Sequence, residues 1–207
     1  AAALVCAAAA LCLAYAERLY PQRLVRGGVR VATLGYAVPG LVLAVALMLP
    51  MTSFDKWIAT ALRDVLDIRW GLLLTGTSAA LIFVYVARFL TVAFNSTQAG
   101  LIQIHPQLDA AARSLGHSPG SVLRRVHLPL LRPAILTGLL LVFIDVMKEL
   151  PATLILRPFN FETLATWVYR YASDERLAEA STAALAIVLV SLVPTVMLSL
   201  SRREGTD

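Results

Sequence analysis

The fold is decided by residues 101–133, which read LIQIHPQLDAAARSLGHSPGSVLRRVHLPLLRP. Apolar runs long enough to cross a bilayer lie on both sides, so this stretch is a loop between membrane spans. Pro106 suits the first turn of a helix, and Gly116 suits the left-handed residue that closes one. Ser118 and Pro119 predict the start of a second helix, and Pro129 predicts its end. The loop is therefore expected to hold two short helices.

The first predicted helix has a narrow face of small and aliphatic side chains. Leu108, Ala111, Ala112 and Leu115 fall at positions i, i+3, i+4 and i+7, which places them on one side of an α-helix. A face of this kind suits insertion into a groove on another protein. An ordinary amphipathic helix at the membrane interface is the alternative.

The composition indicates an all-α, polytopic membrane protein. Of the 207 residues, 58% are hydrophobic, and the mean hydropathy is +0.74, whereas soluble domains are close to half apolar. The net charge is +5, but the arginines cluster at the ends of apolar runs without interleaved aromatic residues, so a nucleic-acid partner is not indicated. Cys6 and Cys12 fall on different sides of a helix, which supports neither a disulfide nor a metal site.

Five apolar segments are predicted to span the membrane. The first is shorter than the roughly 20 residues that a span requires, so it is expected to be incomplete. A basic connection (17–30), a polar loop with a short surface helix (51–69) and a polar stretch (157–179) separate other spans. The predicted spans are 1–16, 31–50, 70–94, 133–156 and 180–200.

The distribution of basic residues predicts the orientation, because cytoplasmic loops are enriched in Lys and Arg. The loop 101–133 and the C-terminus are therefore expected in the cytoplasm. Ten basic residues lie on their side: Arg18, Arg23, Arg26, Arg30, Arg113, Arg124, Arg125, Arg132, Arg202 and Arg203. Six lie on the other: Lys56, Arg63, Arg69, Arg157, Arg170 and Arg176.

The fourth predicted span carries three charged residues, Asp145, Lys148 and Glu149. Each would cost about 2.5–3.5 kcal/mol if it faced lipid at mid-membrane, so they are expected to face the helix bundle or water. Their spacing predicts one shared side of the helix, and Pro151 predicts a bend beside them. Two roles are predicted: an internal ion pair that fixes helix packing, with Arg88 as a candidate partner, and the lining or gate of a translocation path. The two roles are compatible, because a pair that opens and closes is a gate.

The loop resembles the cytoplasmic loop of ABC importer permeases, inner-membrane subunits whose pattern is Glu-Ala-Ala, three residues, Gly, nine residues, an aliphatic, one residue, Leu-Pro. Here Ala110 stands where the family has Glu, and Asp109 precedes it. The resemblance implies a coupling helix that sits in a groove of the ATPase subunit. The residues it assigns to this contact are Leu108, Asp109, Ala110, Ala111, Ala112, Leu115, Gly116, Val126, Leu128 and Pro129.

Other segments are similar to the second half of ferric-iron ABC permeases, in particular 35–40, 85–90, 145–153 and 157–166. This likeness implies a type I ABC importer transmembrane domain over 1–207, formed by the C-terminal part of a longer fused permease. It implies ferric iron as cargo. Relatives that import molybdate, sulfate, thiamine or aminoethylphosphonate share the element from Glu149 to Thr153, so these cargoes stay open.

The mechanism implied by the resemblance is alternating access in a bacterial inner membrane. A periplasmic binding protein delivers cargo, a second permease half completes the path, and two ATPase subunits drive it. The chain itself is expected to hold no cofactor or metal and to catalyse no reaction, since a Walker-type phosphate loop is absent from the sequence. His105, His117 and His127 are expected to face solvent or the partner. An ion-coupled secondary transporter and an integral membrane enzyme are the other classes considered.

Overall fold

The computed structural model describes residues 1–66 and 73–203, with side chains described for 1–64 and 73–196. In this part of the chain, ten α-helices follow one another without a strand. Five helical segments are long and apolar enough to cross a membrane: Ala2–Leu19, Gly40–Asp64, Ser78–Gln103, Pro119–Met147 and Leu177–Val196. The prediction of an all-α protein with five spans is confirmed, although several bounds differ.

The α-helices occur in two groups along the chain. The first four are α1 (Ala2–Leu19), α2 (Arg23–Ala32), α3 (Gly40–Leu66) and α4 (Ser78–Gln103). The remaining six are α5 (Pro106–Ser114), α6 (Pro119–Val122), α7 (Leu128–Met147), α8 (Pro151–Leu156), α9 (Leu164–Ser173) and α10 (Leu177–Arg203).

The core is formed where α1, α4 and α7 pack together. The buried side of α1 repeats a small residue every four positions, at Ala2, Cys6, Ala10 and Ala14. Small side chains at this spacing let two helix backbones approach closely, which is how membrane helices gain packing contacts in the absence of a hydrophobic driving force. The opposing face of α4 supplies larger buried side chains: Leu81, Val84, Phe89 and Phe94.

Two glycines allow α4 and α7 to pack closely. A Cβ on Gly138 of α7 would lie 3.2 Å from the Cα of Ala93, and one on Gly100 of α4 would lie 2.5 Å from the Cβ of Ala134. Between these points the Ser96 hydroxyl donates to the carbonyl of Ala134 over 2.8 Å. A polar side chain inside the bundle thus has a backbone partner across the helix pair.

The predicted second span, 31–50, is interrupted in its first half, so the prediction of a single span over these residues is wrong. α2 ends at Ala32, a 3-10 turn covers Gly35–Ala37, and α3 begins only at Gly40. Pro39 disfavours helical backbone at the residue before it, which accounts for the break. Gly35 fits there because a Cβ would lie only 1.8 Å from the carbonyl oxygen of Ala87.

α3 continues past Pro50 and ends at Leu66. Residues 51–66 are therefore part of this long helix, and the prediction of a polar loop over them is wrong. Residues 67–69 of that loop, and the first residues 70–72 of the predicted third span, lie outside the described residues. The third span itself begins at Ser78. Asp55 of α3 is 1% exposed and accepts hydrogen bonds from the backbone N–H of Leu74, at 2.9 Å, and of Thr75, at 2.7 Å. This contact holds the turn that precedes α4.

The predicted connection 17–30 is largely helical, because it contains most of α2. α2 packs beside α4. Arg26 of α2 borders the same cavity as Leu101, near the end of α4. The Thr91 hydroxyl, at the middle of α4, donates to the carbonyl of Thr33 over 2.6 Å. We call the end of the bundle that carries residues 101–133 the loop end. α2 therefore runs from the loop end to mid-bundle.

The second helix of the loop does not stop at Pro129, contrary to prediction. α6 passes into a π-helical turn over Leu123–His127 and then directly into α7. Pro129 cannot donate to the carbonyl four residues earlier, and the wider turn accommodates this interruption. The predicted fourth span, 133–156, therefore begins earlier, and it is interrupted because α7 ends at Met147 and α8 starts at Pro151.

The polar stretch 157–179 contains α9, which packs on α10. Thr163 and Thr166 form a capping box that starts α9, so its first N–H groups have side-chain partners. Glu162 accepts a hydrogen bond from Thr166 and pairs with Arg157 and Arg170. The hydrogen bond from Thr166 and the two arginines outweigh burial and lower the pKa of the Glu162 carboxyl. The last span starts at Leu177, three residues before the predicted 180.

Candidate functional site

The first helix of the loop forms as its punctuation predicts. Pro106 occupies the first turn of α5. The ring of His105, the residue that precedes the helix, accepts a hydrogen bond from the N–H of Gln107. Gly116 has a φ of +77°, the left-handed conformation that closes many helices. α5 is thus a short, well-capped helix at the loop end.

The predicted small-residue face of α5 is divided between solvent and protein. Leu108 is 44% exposed and Leu115 is 76% exposed, and Ala111 is exposed as well. Ala112 is only 8% exposed and turns toward the bundle. The chain thus presents a narrow apolar stripe of Leu108, Ala111 and Leu115, which we call the α5 stripe.

Ala110, which replaces the glutamate of the family pattern, lies within α5 and is exposed. The other three motif residues lie where the loop rejoins the spans. Val126 is half-buried, Leu128 is 38% exposed, and Pro129 is exposed in the first turn of α7.

Asp109 faces the opposite way from the α5 stripe and binds a residue that the sequence reasoning missed. Nη2 of Arg18, in the last turn of α1, lies 2.7 Å from Oδ2 of Asp109. The same guanidinium donates to the carbonyls of Leu101, at 2.6 Å, and Ile104, at 2.9 Å. One arginine therefore joins the end of α1, the end of α4 and the start of α5.

This environment determines the charge of Asp109. Burial alone would raise the pKa of its carboxyl, but the hydrogen bonds from Arg18 and His127 and their positive charge outweigh burial and lower it. Asp109 is therefore a carboxylate at neutral pH and a full partner for Arg18.

His127 is the second missed residue, and its predicted exposure is wrong. The ring is 0% exposed, and Nε2 lies 2.5 Å from Oδ1 of Asp109. Tyr15 of α1 packs against the ring, with centroids 5.4 Å apart, and its hydroxyl donates to the carbonyl of Pro119 over 2.7 Å. His105 and His117 are exposed, as predicted.

The four residues Tyr15, Arg18, Asp109 and His127, which we call the loop anchor, attach α5 and α6 to α1. A cavity of about 400 Å³ lies beside them, bordered by Ile104, Pro106 and Val122 among others. No local sequence signal indicates this pairing, because Arg18 and Asp109 lie 91 positions apart.

The mid-bundle charges form two separate pairs, so the prediction that all three share one side of a helix is wrong. Glu149 is 5% exposed and lies 3.4 Å from Nη1 of Arg88, whereas Lys148 is 61% exposed and lies 2.9 Å from Asp145. The helix ends at Met147, so Glu149 turns inward. The candidate pairing with Arg88 is confirmed.

Pro151 accompanies a complete break between helices. It occupies the first position of α8, and Oε1 of Glu149 accepts a hydrogen bond from the N–H of Ala152 at 3.0 Å. The carbonyl of Glu149 accepts from the Thr153 hydroxyl, which contacts the Tyr85 hydroxyl of α4. Glu149 therefore caps α8 as well as balancing Arg88.

The breaks in the second and fourth spans meet at this pair. A Cβ on Gly40, the first residue of α3, would lie 1.6 Å from Nη1 of Arg88 and 2.7 Å from Oε1 of Glu149. Nε of Arg88 is buried without a hydrogen-bond partner in the described part of the chain. Two helix breaks and one charged pair therefore lie together at mid-bundle.

Known proteins support this reading of the fold. Residues 7–203 match the family described as binding-protein-dependent transport system inner membrane component. The Fe(3+)-transport system permease protein FbpB 2 of Haemophilus influenzae is 32% identical over 169 residues, which cover 82% of this chain and 30% of that protein. The 2-aminoethylphosphonate transport system permease protein PhnV of Salmonella typhimurium is 35% identical over 120 residues, 58% of this chain and 43% of PhnV.

The chain thus spans less than half the length of these curated relatives. Two solved structures share its fold at 15% identity. A bacterial ABC transporter involved in alginate import has a TM-score of 0.69 over 100% of this chain and 78% of its own. The MetNI methionine ABC transporter has a TM-score of 0.63 over 96% of this chain and 87% of its own. The chain belongs to the binding-protein-dependent transport system inner-membrane components, the permeases of ABC importers.

Proposed function

We propose that this chain is one half of the membrane permease of an ATP-driven importer and that its loop end faces the cytoplasm. The observation that carries the proposal is the division of α5 into two faces. Its stripe of Leu108, Ala111 and Leu115 is exposed. On its other face, Asp109 contacts Arg18 and His127 and so holds the helix in place. A helix held on one side and apolar on the other suits the groove of an ATPase subunit.

The loop anchor supports a route for the motion. When two ATPase subunits close, a force on α5 reaches α1 through Arg18, and it reaches α7 through the continuous helix that follows α6. Both helices pack on α4, which carries Arg88. Movement at the loop end can therefore alter the contact between Arg88 and Glu149 without local unfolding.

The Arg88–Glu149 pair is proposed to close the path at mid-membrane. Each side chain belongs to a different span, and the pair leaves no room for a Cβ on Gly40 at the start of α3. Separation of the spans would break the pair and open a polar route for cargo delivered by a periplasmic binding protein. The exposed Asp145–Lys148 pair would lie at the edge of that route.

Ferric iron is the proposed cargo, because FbpB 2 matches 82% of the chain. 2-Aminoethylphosphonate is the second candidate, since PhnV has slightly higher identity over a shorter range. Thiamine, molybdate and sulfate remain from the resemblance described above. An ion-coupled secondary transporter would have no need for the α5 stripe.

Crosslinking tests the partner. Leu115→Cys in the complete permease, co-expressed with its ATPase, should capture the ATPase with a short bifunctional thiol reagent. Phe159→Cys is the matched control, because Phe159 is 93% exposed but lies beyond α8, away from the loop end. Capture of the ATPase by Phe159→Cys, or its absence with Leu115→Cys, would contradict the proposal.

Uptake tests the cargo. Cells with the complete transporter should accumulate radioactive iron supplied as ferric citrate, and loss of ATP should stop the accumulation. Accumulation of labelled 2-aminoethylphosphonate instead of iron would assign the second candidate. Uptake that follows a proton gradient without the ATPase would indicate a secondary transporter.

A further inference from the structure

α2 carries a row of arginines that the proposed function does not yet use. Arg23, Arg26 and Arg30 fall at i, i+3 and i+7, so they share one side of the helix. All three are exposed, whereas Val29 is 5% exposed and packs against the bundle. Within the described residues, no carboxylate lies within ion-pair distance of any of the three side chains.

The row runs from the loop end toward the middle of the bundle. The cavity that Arg26 borders also contacts Gln98 and Leu101, close to the loop end of α4. The carbonyl of Thr33, three residues after Arg30, accepts a hydrogen bond from the hydroxyl of Thr91, which lies at the middle of the 26-residue α4. At a rise of about 1.5 Å per residue, Arg30 lies about 5 Å from that middle level along the helix axis.

An arginine at this depth cannot face lipid cheaply. Insertion scales place the cost of a central arginine at about 2.5–3.5 kcal/mol. Snorkelling to the loop end would help Arg23, which starts the helix, but it would help Arg30 least. The row therefore faces water or protein.

The surroundings of the row remain positive. Glu17 is the carboxylate that borders the cavity beside Arg26, and it accepts a hydrogen bond from Gln98 at 3.2 Å. The single negative charge of Glu17 does not balance the three positive charges of Arg23, Arg26 and Arg30. Arg18, which borders the same cavity, is neutralised by Asp109.

We propose that Arg23, Arg26 and Arg30 line the inner half of a water-filled path and that the cargo crosses it as an anion. This inference rests on the proposed importer function and deepens it. Three like charges would repel a bare Fe³⁺ ion, whereas they would concentrate a phosphonate or a ferric ion carried with an excess of anionic ligands. The row would therefore select cargo by the net charge of the whole complex and not by the metal ion alone.

Thiol labelling tests the path without knowledge of the cargo. In the complete transporter, with other cysteines removed, Arg30→Cys should react with an anionic methanethiosulfonate about tenfold faster than with a cationic one, because Arg23 and Arg26 attract the anion. Replacing both by glutamine should remove this preference. Leu24→Cys, on the other exposed face of α2, is the matched control and should show no preference for the anionic reagent.

Three results would overturn the inference. Equal rates with the two charged reagents would exclude a positive path. Reaction with a lipid-soluble maleimide alone, or no reaction with any reagent, would place the row against lipid or protein. Protection of Arg30→Cys that requires anionic lipid in the reconstituted bilayer would assign the row to lipid phosphates instead.

Uptake supplies a second readout. The triple substitution of the row to glutamine should lower uptake of ferric citrate or 2-aminoethylphosphonate about tenfold, and the triple substitution to lysine should retain it. Arg63→Gln, a change of the same kind at an exposed position of α3, should leave uptake unchanged. Normal uptake by the glutamine variant would refute the inference while leaving the importer function intact. Failure of Leu115→Cys to capture the ATPase would refute the importer function while leaving the labelling result valid.

Discussion

The guanidinium of Arg18 lies 2.7 Å from the carboxylate of Asp109, although the two residues are separated by 91 positions in the chain. Arg18 ends the first span, and Asp109 faces it from the first loop helix. This ion pair makes the position of the loop depend on α1 as well as on the two spans that the loop connects.

Replacing Arg18 by alanine should therefore release the loop. The change leaves Oδ2 of Asp109 and the carbonyls of Leu101 and Ile104 without their donor, although His127 still contacts Oδ1. We expect a loss of about 2–3 kcal/mol, since the pair is mostly buried. The midpoint of thermal unfolding in detergent should fall, and limited proteolysis should cut within 101–133. Arg113→Ala, at an exposed position of α5, should change neither.

A glycine series should separate backbone from side-chain contacts around Arg88. Gly35→Ala should cost about 3 kcal/mol or more because the new Cβ meets a backbone carbonyl, whereas Gly40→Ala meets the movable end of Arg88 and should cost about 1–3 kcal/mol. Gly27→Ala has open space and should stabilise α2 by about 0.5–1 kcal/mol. Thermal midpoints measure all three, and any other rank order would contradict the described break.

Gly40→Ala should also be non-additive with Arg88→Ala. If the new Cβ acts by displacing the Arg88 guanidinium, its effect should shrink once that side chain is removed. A double-mutant cycle on thermal stability provides the test. Full additivity would show that Gly40 is required for another reason.

The two carboxylates of the mid-bundle should differ in importance. Glu149→Ala leaves Arg88 and the N–H of Ala152 without a partner, which we expect to cost about 3–5 kcal/mol. Asp145→Ala affects mainly Lys148, whose side chain is 61% exposed, and should cost less than about 1 kcal/mol. Expression level and thermal midpoint measure this difference. Equal losses would mean that the Asp145–Lys148 pair is covered in the assembled protein.

Gly116→Val should strain the loop without removing the protein from the membrane. Valine tolerates a positive φ poorly, at a cost of about 1–3 kcal/mol, whereas asparagine accepts it. We expect ATP hydrolysis to continue in the complete transporter while transport falls, with Gly116→Asn close to wild type. Normal coupling in the valine variant would show that the closing conformation is dispensable.

The attachment of the loop should not change across the neutral range of pH. The lowered pKa of Asp109 means that its ion pair contributes fully above the unfolded pKa, which is near 3.8, and is lost as pH falls through the still lower folded pKa. A spin-label distance between α1 and α5 should therefore stay constant from about pH 8 to about pH 5 and lengthen only in stronger acid. A lengthening between about pH 8 and about pH 5 would contradict this account of the ion pair.

Local punctuation in the sequence was sufficient for some elements and not for others. Pro106 and Gly116 act on their immediate neighbours, so α5 could be placed to within a residue. Hydropathy places apolar segments but cannot detect a break inside one, so the predicted span 31–50 includes the turn at Gly35 that separates α2 from α3. Its predicted end at Pro50 is wrong because the helix continues through this proline.

The site shows the same division. The pairing of Arg88 with Glu149 could be suggested because unpaired charges are costly in a membrane. The loop anchor could not be predicted from the sequence, since Arg18 and Asp109 lie 91 positions apart and meet only in the folded bundle. The prediction that His127 faces solvent or the partner is wrong because a histidine in a basic loop gives no local signal that it will be buried.

The π-helical turn over Leu123–His127 has a consequence for how permeases of this kind can diverge. A π-helical turn holds one more residue than an ordinary turn, so deleting one residue there would shorten the path through α6 by about 1.5 Å. α5 is held to α1 by the ion pair of Asp109 with Arg18, and the shortened chain would pull against this contact. A deletion of one codon at this position would therefore strain the loop anchor without altering any of its side chains.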